Sequence, residues 1–217
     1  MSDDPKPARS AAPRRTRDET RALVLEVAAR RFSRASYEAV SLDDIAAESG
    51  VRKANLLYHF TSKEQLWYDT VDHVFAEVER FYAESEGAGP ENWGDLRGFV
   101  RTYFEACRLN PAYVLIPLIE GATANWRSEW IAERYLRRHV HDFDLYVRRL
   151  IAEGVLPPIE PVHLQNMLTG GVQHFVANAA VWERALGVDT RDKAFIDSYA
   201  NSVLGLLERG WGGRVQA

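Results

Sequence analysis

An all-α chain is predicted by three observations. Apolar residues recur at helical spacing in segment after segment. Capping residues and glycine or proline stops punctuate those segments. No alternating run bounded by turn residues reads as a strand. About nine helices follow, three short ones around a tight turn near the N-terminus and longer ones beyond.

Residues 1–15, rich in Pro, Ala, Ser and charge, read as a disordered basic arm. From Thr16 to Ser33 the chain turns helical: Val24, Ala28 and Phe32 recur every four residues with Val27 beside them. Ser36 and Tyr37 fall in a short turn. Ser41 then caps a short helix whose first turn carries Asp43 and Asp44, where the helix dipole favours acids. Gly50 ends it, and Val51 to His59 is the next short helix. Ser62-Lys63-Glu64-Gln65 has the form of a capping box. It opens a long helix reaching about Glu84, with Gly87, Gly89 and Pro90 as stops. Five further helices are expected at about 92–109, 111–125, 128–153, 161–186 and 190–209, with Pro111 and Pro161 in first turns, Ser128 as a cap and Gly154 as a stop.

The chain has 217 residues, room for a small domain and a larger one. Hydrophobic residues make up 46%, enough for a sizeable core. The net charge of −4 excludes a uniformly basic nucleic-acid coat. Residues 1–60 carry 11 Lys and Arg against 9 Asp and Glu, a balance of +2, whereas the rest carries 16 against 22, or −6. A polyanion partner is therefore expected to meet the first part only. The lone cysteine, Cys107, permits no internal disulfide and fits a reducing cytoplasm. No apolar run approaches the roughly 20 residues that span a bilayer, and no apolar stretch follows the basic N-terminus as in a secretory signal, so no membrane partner is expected.

The informative stretch runs from Ser41 to Leu66. Two short helices joined at Ser49-Gly50 follow the helix-turn-helix plan, in which the second helix enters the DNA major groove. Gly50 supplies the positive φ that a sharp change of direction needs. Leu42, Ile45, Ala46, Val51, Leu56 and Phe60 are expected to form the small core. That leaves Arg52, Lys53, Ala54, Asn55, Leu57, Tyr58 and His59 outward on the recognition helix. Arg52 and Lys53 match guanine O6 and N7, and Asn55 matches adenine. Tyr58, His59 and Lys63 suit phosphate, as do Ser41 and the amides of its helix. Arg14, Arg15 and Arg17 of the arm suit the backbone or a minor groove. A bare turn of this kind is equally often a corner of a helical bundle. The clustered Arg, Lys, Asn, Tyr and His, the capped helix that follows and the basic arm favour the DNA reading.

Residues 16–70 resemble the DNA-binding domain of the TetR family of bacterial regulators. The resemblance rests on the Val24/Ala28/Phe32 helix, Tyr37, Ser41-Leu-Asp-Asp-Ile-Ala, Gly50-Val51-Arg-Lys, Leu56, His59-Phe60 and Ser62-Lys63-Glu64. Ser36 stands where Gly is usual, and Leu57 where an aromatic is common, which suits a thymine methyl. The resemblance implies a helix-turn-helix domain over 16–62 and a ligand-binding and dimerisation domain over 63–217. It implies a homodimer through the last two long helices on a palindromic double-stranded operator, a small-molecule effector among the middle helices, and repression as the usual mode. It implies no cofactor and no enzymatic activity. Asn55-Leu-Leu-Tyr, Ile159-Glu-Pro-Val-His-Leu and Gln173-His174-Phe175 are similar to a branch concerned with pyrimidine utilisation, which implies a pyrimidine-like effector. Thr169 and Gly170-Gly171 depart from that branch, where bulkier residues stand.

Candidate effector residues are Tyr113, Trp126, Thr169, Gln173, His174 and Asn178. Gln173 lies four residues after Thr169 and His174 four before Asn178, so each pair shares a helix face. Buried Gln, His and Asn need partners, which are a polar ligand, the backbone or a dimer interface. Pro117 cannot donate to the Tyr113 carbonyl, so it either kinks a cavity wall or simply packs. Gly170-Gly171 in mid-helix points to close helix packing or to a ligand approaching the backbone, with packing the favoured reading. His139 and His141 lie about 200° apart around a helix, so no metal site is expected. The competing class is a helical dimeric scaffold or enzyme without sequence-specific DNA binding. It lacks a phosphate loop, a His-Glu-x-x-His run or a cysteine cluster.

Overall fold

The computed structural model of the chain describes residues 15–85 and 96–210. Helix α1 spans Arg17–Phe32, and a 3₁₀ turn at Tyr37–Ala39 leads to α2, Leu42–Ser49. Helix α3 is Lys53–His59 and α4 is Lys63–Glu84. Then follow α5 (Leu96–Leu109), α6 (Ala112–Glu120), α7 (Trp126–Ile131), a π-helical turn (Ala132–Leu136) and α8 (Arg137–Ala152). Helices α9 (Pro161–Ala177), α10 (Ala179–Leu186) and α11 (Lys193–Gly210) follow, the last of the described elements. No strand occurs among the described residues. These eleven stretches make ten rods among the described residues, because α7 runs through the π turn into α8.

Local chemistry sets the boundaries. Thr16 and Glu19 form a reciprocal capping box at α1: the Thr16 side chain accepts from the Glu19 amide at 3.2 Å and Glu19 accepts from the Thr16 amide at 2.7 Å. Ser41 caps α2 by accepting from the Asp44 amide at 3.0 Å. Gly50 takes φ +66, the left-handed turn that sends the chain into α3. That helix begins two residues later than Val51, because Arg52 is extended at ψ 139 and serves as its N-cap. Ser62 caps α4 through the Gln65 amide at 3.0 Å, but Gln65 does not return the bond. Its amide donates instead to Asp69 at 2.7 Å, so half of the expected box forms. At 1.5 Å per residue α4 is about 33 Å long. The expected stops Gly87, Gly89 and Pro90, the start of the helix placed at 92 and most of the arm lie outside the described residues.

Three expected boundaries move. The helix placed at 111–125 ends at Glu120, where the Gly121 amide bonds to the Pro117 carbonyl at 2.8 Å. Ser128 is not a cap but the third residue of α7. Asn125 is the cap, accepting from the Arg127 and Ser128 amides at 2.9 Å each, and Ser128 accepts from the Asn125 amide. The rod placed at 161–186 breaks at Asn178, whose backbone leaves helical geometry at φ −112, ψ 23.

Two apolar cores result. The first joins α1, α2, α3 and the first half of α4, and also takes Ala112 and Ile116 of α6 and Ile131 of α7. The second joins α5, α8, α9 and α11 around Phe104, Phe143, Leu164 and Ile196. Among the described residues, no helix is long and apolar enough to cross a membrane.

Candidate nucleic-acid interface and effector site

Ile45, Leu56 and Phe60 are fully buried, and Ala46 and Val51 nearly so, with Leu42 packed against them. This anchoring leaves the rest of α3 facing outward. Arg52, Lys53, Asn55, Leu57 and Tyr58 are exposed, and His59 is half-buried. Tyr58 is 68% exposed, which leaves most of this aromatic side chain open to solvent. The Arg17 guanidinium stands 5.5 Å from the Tyr58 ring, and His59 meets that ring edge-on at 5.6 Å. Lys53 Nζ lies 2.9 Å from Asp43 of α2, both ends open to water.

Two expected contacts are more engaged than the sequence suggests. The Ser41 hydroxyl accepts from the Asp44 amide and donates to the Asp44 carboxylate at 2.7 Å, so it already serves the cap. The Lys63 ammonium lies 4.3 Å from the centre of the Tyr37 ring, where partial burial lowers its pKa. Glu48 bridges Arg30 at 3.1 Å and Arg31 at 2.5 Å, which hold its carboxyl below the usual range.

The six effector candidates divide into four places. Gln173 donates from Nε2 to the Tyr103 hydroxyl at 2.6 Å, and the Tyr103 ring lies 6.4 Å from that of Tyr113, so the structure brings Gln173 and Tyr113 to one cluster. Trp126 is elsewhere, edge-on to Tyr37 at 5.6 Å and Trp67 at 5.2 Å beside the DNA-reading head. His174 is exposed and meets Asn178 at 3.3 Å and the edge of Trp182, while Asn178 also donates to the His174 carbonyl. Thr169 is buried and donates to the Gln165 carbonyl at 2.9 Å. Of the Gly170-Gly171 pair, Gly171 is packed against Tyr199 of α11. A groove of about 520 Å³ between α4, α5 and α11, walled by Phe81, Arg101 and Lys193, includes none of the six.

Sequence reasoning missed Tyr103, Cys107 and Tyr82 as members of the cluster. Tyr103 and Cys107 are four apart on α5 and share its inner face, a spacing that was available. Burial pushes the Tyr103, Tyr113 and Tyr82 hydroxyls well above their ordinary range and the Cys107 thiol up to about 12. The cluster's own side chains are therefore neutral donors and acceptors, with the Glu79 carboxylate within electrostatic reach of Tyr113.

A three-helix head with an outward, partly basic recognition helix, set on a helical body, defines a helix-turn-helix DNA-binding regulator. Residues 24–67 match the model of the bacterial regulatory proteins of the tetR family, and residues 93–214 match the tetracyclin repressor-like C-terminal domain. The chain belongs to the TetR family, and is a transcriptional regulator rather than an enzyme. It is 25% identical over 193 residues to the HTH-type transcriptional regulator RutR of Escherichia coli, covering 86% of this chain and 88% of that one. It is 26% identical over 115 residues to the HTH-type transcriptional repressor KstR2 of Rhodococcus jostii, covering 52% and 56%. The transcriptional regulator FadR of Bacillus subtilis, solved with stearoyl-CoA, has the same fold at TM-score 0.60 and 16% identity over 88% of this chain and 98% of that one.

Proposed function

We propose that this chain represses transcription as a homodimer on a palindromic operator and is released by a small neutral effector of pyrimidine-like chemistry. The outward surface of α3 carries the reading: Arg52, Lys53, Asn55 and Tyr58 are exposed while Leu56 and Phe60 fix the helix beneath them. Arg52, Lys53 and Asn55 read base edges, Leu57 meets a thymine methyl, and Ser41, Tyr58, His59 and Lys63 hold phosphates. Exposed apolar side chains support a dimer through the last helices, with Met167 63%, Val181 66%, Leu186 51% and Leu206 67% exposed.

The effector reading rests on the Gln173–Tyr103–Tyr113 cluster. A part-buried set of neutral hydrogen-bonding groups suits a neutral polar ring and penalises a carboxylate, which would be left without a counter-charge. Release is a population shift. Two recognition helices must meet successive major grooves about 34–36 Å apart, and an effector that favours another body shape disfavours that spacing. By linkage, operator DNA weakens effector binding by the same factor.

Two substitutions separate base reading from phosphate contact. Lys53→Ala is expected to cost about 1–3 kcal/mol at one operator position and relax preference there. Lys63→Ala is expected to weaken all sequences alike and reduce the salt slope by about one. Fluorescence anisotropy on operator and point-mutated operators checks both. Unchanged affinity in both variants would show that the reading surface lies elsewhere.

A further inference from the structure

Where the DNA head meets the body, a buried ion pair is spent on a turn of the head. Glu120 ends α6 and is 2% exposed, and Arg127 lies in α7 and is 6% exposed. Arg127 Nε donates to Glu120 Oε2 at 2.5 Å. The other Glu120 oxygen, Oε1, accepts the backbone N–H of Tyr37 at 3.2 Å. Tyr37 begins the 3₁₀ turn between α1 and α2. A second nitrogen of Arg127 pairs with Glu38 of that turn at 2.8 Å, and its guanidinium lies 4.7 Å from the Tyr37 ring. The Lys63 ammonium lies 4.3 Å from the same ring.

Burying two charges is expensive, and apolar residues of like volume often stabilise as well or better. What this pair supplies that an apolar contact does not is direction. Two bonds fix the α1–α2 turn, the Tyr37 N–H to Glu120 of α6 and Arg127 of α7 to Glu38, while the Arg127–Glu120 bond ties α6 to α7; Tyr37 in turn meets the N-terminus of α4 through Lys63. Helix α6 also carries Tyr113, so the head is tied to a helix bordering the polar cluster.

We propose that Glu120 and Arg127 are positioning residues for DNA reading, a latch by which the body sets the angle of the helix-turn-helix head. The proposal rests on the DNA-reading function above. With the latch intact the two heads of a dimer hold the spacing that a palindrome demands. Without it each head must be ordered on the DNA, and operator affinity falls while binding to random duplex, which makes no demand on spacing, does not.

The test is the double variant Glu120→Leu/Arg127→Met beside the single ones. Removing both charges leaves no unpaired buried ion, so the double variant is expected to melt close to the unaltered chain while the singles melt lower. In the double variant, operator affinity is expected to fall about tenfold, with random-duplex affinity within about twofold. Hydrogen exchange over residues 34–40 is expected to speed at least about tenfold with α9 unchanged. An Arg127→Lys variant, which keeps the charge toward Glu120, is expected to recover part of the operator affinity. A double variant that binds operator like the unaltered chain, or whose loss is equal on random duplex, overturns the latch while leaving the regulator reading intact. Failure of the unaltered chain to select any duplex overturns both.

Discussion

Trp67→Ala is expected to destabilise the protein by about 3–5 kcal/mol, lowering the melting midpoint on the order of 10 °C. Trp67 sits in the first half of α4 with no exposed surface. Its ring meets Trp126 at 5.2 Å and Trp130 at 5.5 Å, both from α7, and Tyr68 at 5.6 Å. Truncation therefore opens a cavity at the seam where α4 passes from head to body, and its neighbours are too large to collapse into it. The indole N–H has no hydrogen-bond partner among the described residues. Trp67→Phe removes that unsatisfied donor together with part of the volume, and the two effects oppose. It is expected to cost less than half as much. Thermal unfolding of the three chains checks the order, and equal losses for Phe and Ala would show that the site requires the indole itself and that a smaller ring recovers none of its packing.

Gly171→Ala is expected to destabilise by about 2 kcal/mol, although alanine is the better helix former by about 1 kcal/mol. A Cβ at Gly171 would lie 1.7 Å from the Tyr199 hydroxyl oxygen and 2.8 Å from the ring carbon that bears it. Tyr199 has little room to move, being stacked on Phe104 at 5.2 Å and edge-on to Phe175 at 5.0 Å. The neighbouring Gly170 would meet nothing within 4 Å, so Gly170→Ala is expected to be neutral or stabilising by up to about 1 kcal/mol. Adding Tyr199→Phe to Gly171→Ala removes the nearer contact and is expected to restore part of the loss. Denaturant midpoints measure all four, and a stabilising Gly171→Ala would mean that α9 and α11 are not in close contact at this point.

What the sequence made legible follows the range over which each interaction acts. Signals contained within four residues read well: the Ser41 and Ser62 caps, the left-handed Gly50, and the inward set of Ile45, Leu56 and Phe60 all stand where periodicity and cap chemistry place them. The break at Asn178 did not read, because Asn within an apolar-periodic run is compatible with a continuous helix and only tertiary packing decides. The π turn at Ala132–Leu136 likewise has no composition of its own. Ser128 misled because it is a favourable cap type, but Asn125 three residues earlier took that place and left Ser128 the reciprocal partner. The effector candidates were chosen by residue type, which is why one list spans a surface pair at His174 and Asn178, a head-side aromatic at Trp126 and the part-buried Gln173–Tyr103 bond. The Glu120–Arg127–Tyr37 contact joins residues 83 positions apart, and no local pattern announces it.

The central claim is that α3 reads a palindrome and that the body controls the reading. Selection from random duplexes, repeated at rising salt and then with a panel of pyrimidines and related neutral metabolites on the winning duplex, tests it most directly. The predicted result is an enriched palindrome with half-sites about one helical turn apart, affinity falling steeply with salt, and release by one small neutral compound. Absence of any enriched sequence, with DNA binding that does not respond to salt, would contradict the account.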